Sequence, residues 1–133
     1  MALLKAIVFL AVGAGLLVAA VVAGIAIRGF VGRAASAPGV VSHLNAGGSH
    51  PEIEFTTASG ERISYPQGGL IFGYRPGQKV RVLYGQENPR GTARMDAFGA
   101  LWFAPLMLLV LGLALIVGGV AFLMSAARLV IHN

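Results

Sequence analysis

His43 and His50 stand seven residues apart around a glycine turn, and Glu52 and Glu54 follow at alternate positions. A zinc site wants three or four convergent nitrogen, sulfur or oxygen ligands at tight spacing. Two imidazoles in a chain with no cysteine fall short of that, and they read as loop or edge-strand histidines; His132 lies far off in the tail. Glu52 and Glu54 share one face of a strand and could divide general acid and base work. Neighbouring charges are also ordinary on the solvent face of a half-buried strand. Ser59, Ser64 and Ser125 have no base at recognisable spacing, so no nucleophile is assigned. Gly47-Gly48 and Gly68-Gly69 lack the strand-to-helix context and the lysine of a phosphate loop, and read as turns. No catalytic, cofactor-binding or metal set results, and the expectation is a protein that binds rather than turns over.

The elements that must hold these residues are dominated by two apolar runs. Of 133 residues 56% are hydrophobic and 11% charged, against about 25% charged in a soluble domain. Ala6–Ile27 and Ala97–Ala127 carry no charge over 22 and 31 residues. Roughly 20 apolar residues in a helix cross the ~30 Å hydrocarbon core. Both runs are therefore expected as transmembrane helices, the first over residues 1–28 (core 6–27) and the second over 97–127 (core 103–124), with a tail at 128–133. A secretory signal is the rival for the first run, because Lys5 precedes it and Ala35-Ser36-Ala37 resembles a cleavage site. The apolar stretch of a signal is 7–15 residues, which is too short.

Small residues mark where such helices would pack, because packing rather than hydrophobicity joins helices in lipid. Ala11, Gly15, Ala19 and Ala23 recur every four positions in the first run, while Gly112 and Gly119 lie one heptad apart in the second. These six are the candidate helix-packing residues. Neither run holds an ionisable residue, as proton relays and ion pathways do, so a transporter acting alone is not expected.

Residues 29–38 (GFVGRAASAP) read as a small-residue linker, and 39–96 as an extramembrane β-domain. There the periodicity changes from helical to alternating. Glu52–Thr57 and Arg62–Tyr65 alternate cleanly, and a three-residue Ala58-Ser59-Gly60 loop would pair Phe55 with Ile63 and Ile53 with Tyr65. Gly60 then takes the left-handed position that such loops reserve for glycine. Pro76-Gly77 has the type II turn pair and leads into Lys79–Tyr84. A short strand at Gly39–Leu44 and another within Thr92–Met95 complete four or five short strands, an antiparallel sheet or half-barrel. The glycine-rich stretch Pro66–Tyr74 leaves Leu70, Ile71 and Phe72 as core filler or as an interaction surface.

The stretch EFTTASGERISYP, then YRPGQKVRVLYGQENPRGTARMD, then the apolar run opening AFGALWFAPL resembles the bacterial domain of unknown function 3592 family. The resemblance rests on Phe55, Thr56, Thr57 and Gly60, then Tyr74, Gly77, Val80, Val82, Leu83 and Tyr84, then Asn88, Pro89 and Asp96. That family usually has aspartate-proline after the tyrosine, where this chain has Gly85-Gln86. The resemblance implies two transmembrane helices flanking a small β-domain, with no catalytic residues to carry over.

The expected function is a non-enzymatic accessory module, of envelope or immunity type, in the bacterial cytoplasmic membrane. Its partners would be the lipid bilayer and either a membrane or envelope protein or further copies of the chain. The alternative is a subunit of an oligomeric transport or enzyme complex whose polar site a partner completes. Nucleic acid is not expected, because the eight arginines are scattered singly rather than gathered in a patch. Arg28, Arg33, Arg90 and Arg94 flank the runs on the domain side, against Lys5 and Arg128 on the other. By the positive-inside rule this count tilts the β-domain toward the cytoplasm.

Overall fold

A helix, α1, runs from Ala2 to Arg33 in the computed structural model, which describes residues 1–45, 47 and 50–133. Five strands follow: β1 (Ala35–Asn45), β2 (His50–Thr56), β3 (Arg62–Pro66), β4 (Lys79–Tyr84) and β5 (Arg94–Met95). One helical turn, α2 (Pro89–Thr92), precedes β5, and the long helix α3 (Phe98–His132) closes the chain. Two long apolar helices thus flank a five-stranded antiparallel sheet of order β3-β2-β1-β4-β5. The turn expected at 46–49 lies, Gly47 apart, outside the described residues.

The chain divides into two compact units, one of residues 1–25 with 104–133 and one of 26–103. In the first, the buried positions of α1 are Ala6, Gly13 and Ala20, and those of α3 are Pro105, Gly112 and Gly119. Both sets repeat every seven residues. A Cβ on Gly13 would stand 3.0 Å from the Gly112 carbonyl, and one on Gly112 would stand 3.1 Å from the Gly13 carbonyl. Phe9 and Phe122 meet edge to face at 5.2 Å, and the Lys5 ammonium lies 5.9 Å from the Phe122 ring. Of the every-four stripe on α1, Ala11 and Gly15 are exposed and Ala19 and Ala23 are half-buried, so the stripe is not the seam that meets α3. Steps of four drift ~40° around a helix of 3.6 residues per turn, whereas steps of seven drift ~20° and keep one seam facing a neighbour.

In the second unit the expected linker at 29–38 is absent as such: α1 continues to Arg33 and β1 starts at Ala35. Ala35, Ser36 and Ala37 pair with Tyr84, Leu83 and Val82 of β4. Composition suggested a loop, but two neighbours make β1 the centre of the sheet. Pro38 fits because β2 pairs β1 only from Gly39 onward; at Pro38 a missing N–H is tolerated as on an edge strand. Ser42 is the extra residue where the register steps from Val41↔Ile53 to His43↔Glu52, a β-bulge.

The β2–β3 hairpin has the register that its alternation demands, Phe55 opposite Ile63 and Ile53 opposite Tyr65. Thr57 N–H donates to the Glu61 carbonyl and Gly60 N–H to the Thr57 carbonyl, while Gly60 sits at φ +92°. A Cβ there meets nothing within 4 Å, so Gly60→Val pays for backbone strain alone. About 1–2 kcal/mol is expected, read as a lowered unfolding midpoint of the detergent-solubilised chain.

Alternation puts Val41, Ile53, Phe55, Ile63, Tyr65, Val82 and Tyr84 on the inner face, joined by Ile71 from the β3–β4 loop and Met95 from β5. Each fully buried aliphatic contributes about 1.5–3 kcal/mol. Phe55 packs edge to face on Tyr65 at 6.0 Å and tilted on Tyr84 at 5.5 Å, and such pairs add ~0.5–1.5 kcal/mol each. Leu83 points to the other face but is also buried. It is covered by Ile27 and Leu101, with Phe30, Ala34 and Trp102 around them.

Gln67 is a buried polar residue in this apolar interior, only 6% exposed. Its side-chain carbonyl accepts from the Tyr65 hydroxyl at 3.0 Å and from Met95 N–H at 2.7 Å. Its amide donates to the Gly68 carbonyl, and its backbone N–H to the Pro51 carbonyl. β3 and β5 are the two outer strands of the sheet, so one side chain fastens the sheet's opposite margins and curls it into a half-barrel.

Candidate interaction surface

The outer face of β1–β4 carries what the inner face excludes. Register places Ser64, Glu54, Val40 and Lys79 in one row across the four strands. The next row has Arg62 opposite Thr56 and Arg81 opposite Pro38. An open groove of about 700 Å³ runs over this face, with Val40, Glu54, Thr56, Arg62, Ser64 and Lys79 in its lining. Among the described residues the one ion pair is Arg90 with Glu61, at 4.0 Å and exposed. The charges of Glu54, Arg62 and Lys79 are thus spent on no ion pair among the described residues.

Glu52 is held more firmly. Its carboxylate accepts from Ser64 Oγ at 2.5 Å and from Asn45 Nδ2 at 3.1 Å. The Ser64 hydrogen bond keeps the carboxyl below its ordinary value, with Asn45 and the nearby His43 adding to it against a desolvation effect of opposite sign. A lowered folded pKa stabilises the fold in full above the ordinary value of 4.5, and that contribution disappears as pH falls through the lowered value. Glu52→Gln should therefore unfold earlier than the natural chain near neutrality, and the gap should close as the pH falls below the ordinary carboxyl value of 4.5 and through the lowered one. Thermal midpoints taken across that range check it.

Ser42 Oγ lies 3.2 Å from Nδ1 of its neighbour His43, whereas Glu52 is met by Ser64 and Asn45 rather than by the imidazole. Serine, histidine and carboxylate therefore form no relay here. His43 and His50 are both exposed, on residues that β1 and β2 pair with Glu52 and Asn45. No group of three or more metal-ligating side chains converges among the described residues. Burial pushes the Tyr65 phenol up, so it stays protonated and donates to Gln67.

The candidates Leu70, Ile71 and Phe72 separate. Ile71 is 5% exposed and in the core, while Leu70 is 48% and Phe72 78% exposed. Of the candidate helix-packing residues, Gly112 meets Leu17 and Gly13, and Gly119 meets Leu10; Ala11 and Gly15 face away. Sequence reasoning missed Gln67, Ser64 and Asn45. For the first no local signal exists. For the other two, a cross-strand partner at the position of Glu52 could have been sought once the register was fixed.

The arrangement is an open sheet face with a groove lined by charged, polar and apolar side chains. No family model matches the chain, and no solved structure matches it. Over 100 residues it is 54% identical to the immune protein Tsi4 of Pseudomonas aeruginosa, an alignment that covers 75% of this chain and 69% of that protein. At that identity and coverage, the chain belongs to the family of this immune protein.

Proposed function

We propose that the chain is an immunity-type protein of the bacterial cytoplasmic membrane, which protects the cell that makes it by binding a toxic protein. The observation that carries the reading is the 54% identity to a protein named for immunity. Two helices, Ala2–Arg33 and Phe103–His132, are long and apolar enough to cross a membrane, and both spanning the bilayer is part of the proposal. Protection by binding requires surface and no turnover, so the chain acts as a binder rather than an enzyme. The open face with Glu54, Arg62 and Lys79 is the surface we assign to the protein partner. The excess of arginine beside the domain favours the cytoplasmic side for the sheet. The resemblance to domain of unknown function 3592 fits this reading and adds no residue role to it.

A strain deleted for the chain, co-cultured with its parent, should fall by about tenfold or more over the competition. A plasmid copy should restore parity. Parity without the plasmid overturns the immunity reading. A plasmid copy with Glu54→Arg and Lys79→Glu should protect poorly while accumulating normally, because inverted charges across an interface repel. Full protection by that copy moves the binding surface elsewhere.

A further inference from the structure

We propose that Leu70 and Phe72, at the tip of the β3–β4 loop, form a wedge that enters the interfacial layer of the bilayer. This rests on the reading of α3 as a membrane span and deepens it. Ile71 is anchored in the core between them. Ile71 is buried while Leu70 and Phe72 on either side of it are exposed, so the two apolar neighbours are left to the outside of the domain. An exposed phenylalanine held this way is fixed by the fold rather than left over by it.

The loop is tied to the place where α3 approaches the membrane. Leu70 N–H donates to the Gly99 carbonyl at 3.2 Å. Both backbones come too close for side chains: a Cβ on Gly69 would stand 2.6 Å from the Gly99 carbonyl, and one on Gly99 would strike the Leu70 carbonyl. The apolar span starts at Phe103, four residues on, which is about 6 Å along the helix axis. The polar interfacial layer is about 5–7 Å deep on each side of the hydrocarbon. Gly99, whose carbonyl holds Leu70, is thus separated from the start of the apolar span by about the depth of that layer along α3, and Phe72 is two residues from Leu70. Phe98, 69% exposed on the first turn of α3, and Trp102 supply the aromatic residues enriched at that depth. Arg75, exposed three residues beyond Phe72, can meet lipid phosphate. A lipid surface suits this set better than a protein, because the tip is hydrogen-bonded to the helix that enters the bilayer.

The chain has no cysteine, so single cysteines can carry an environment-sensitive fluorophore. Phe72→Cys and Leu70→Cys would be labelled in the full chain, reconstituted in phosphatidylcholine–phosphatidylglycerol vesicles. Leu113→Cys in the span and Glu54→Cys on the sheet face serve as references. With nitroxide lipids labelled near the headgroup, label at 72 or 70 should be quenched about twofold more than label at 54, as insertion of ~5–10 Å requires. It should also be shielded from aqueous iodide. Label at 113 should respond to lipids that carry the nitroxide deep in the acyl chain. If 113 is quenched by lipid and both loop positions stay open to iodide, the wedge is overturned, the span stands and Phe72 is left for a protein partner. If 113 is not quenched, the span and the wedge fall together.

Discussion

Gln67→Leu should lower the stability of the β-domain by about 3–5 kcal/mol. Leucine has similar bulk, so packing changes little and hydrogen bonding changes completely. The natural side chain accepts from the Tyr65 hydroxyl and Met95 N–H at once. Both donors lie in the interior, and a buried donor without a partner costs roughly 1–3 kcal/mol. Hydrogen-bonded networks of this kind are also stronger in a low-dielectric interior than the same bonds in water. Tyr65→Phe is the matched control. It removes one donor and leaves Gln67 with Met95, so about 1 kcal/mol is expected. Midpoints of the two variants should differ by about 8 °C or more in detergent, at about 4–8 °C per kcal/mol for a domain of this size. Equal midpoints would show that Gln67 does not join the outer strands.

Gly99→Ala should cost about 2–4 kcal/mol through a single methyl group. The position is helical, where alanine is normally the better residue by roughly 1 kcal/mol. That preference is overridden because the added Cβ would strike the Leu70 carbonyl, which is backbone and cannot rotate away. Relief requires the β3–β4 loop to lift. That breaks the bond from Leu70 N–H to Gly99 and pulls on Ile71, which sits in the core. Gly32→Ala, also in a helix and with nothing within 4 Å of its Cβ, should be neutral or stabilising. The pair separates collision from helix propensity. If both variants behave alike, the loop does not rest on α3.

The two helices and the β2–β3 register were legible in the sequence because each depends on local pattern. Charge-free length marks a helix that lipid could hold, and a loop ending at Gly60 allows a single register that buries Phe55 with Ile63. β1 was less legible. Gly29–Pro38 has the composition of a linker, and its second half became central strand only because β2 and β4 flank it. The seam that α1 turns to α3 was not legible for a similar reason: small residues recur at steps of four and of seven, and only a facing α3 decides between them. The polar contacts were least legible. Gln67 sits among glycines in an irregular stretch, and its two partners come from β3 and from β5, 28 residues further on.

The period of two along β2, β3 and β4 separates inheritance into two accounts. Substitutions at Ile53, Phe55, Ile63 or Val82 fall on the core and would be removed by selection for folding, whatever partner the protein meets. Those at Glu54, Thr56, Arg62 or Lys79 touch no core residue's packing and can drift at small cost in stability. On the binding face proposed above, related chains can then diverge in the molecule they recognise while keeping one scaffold. A lineage facing a changing adversary could thus exchange one recognition pattern for another without passing through an unfolded intermediate.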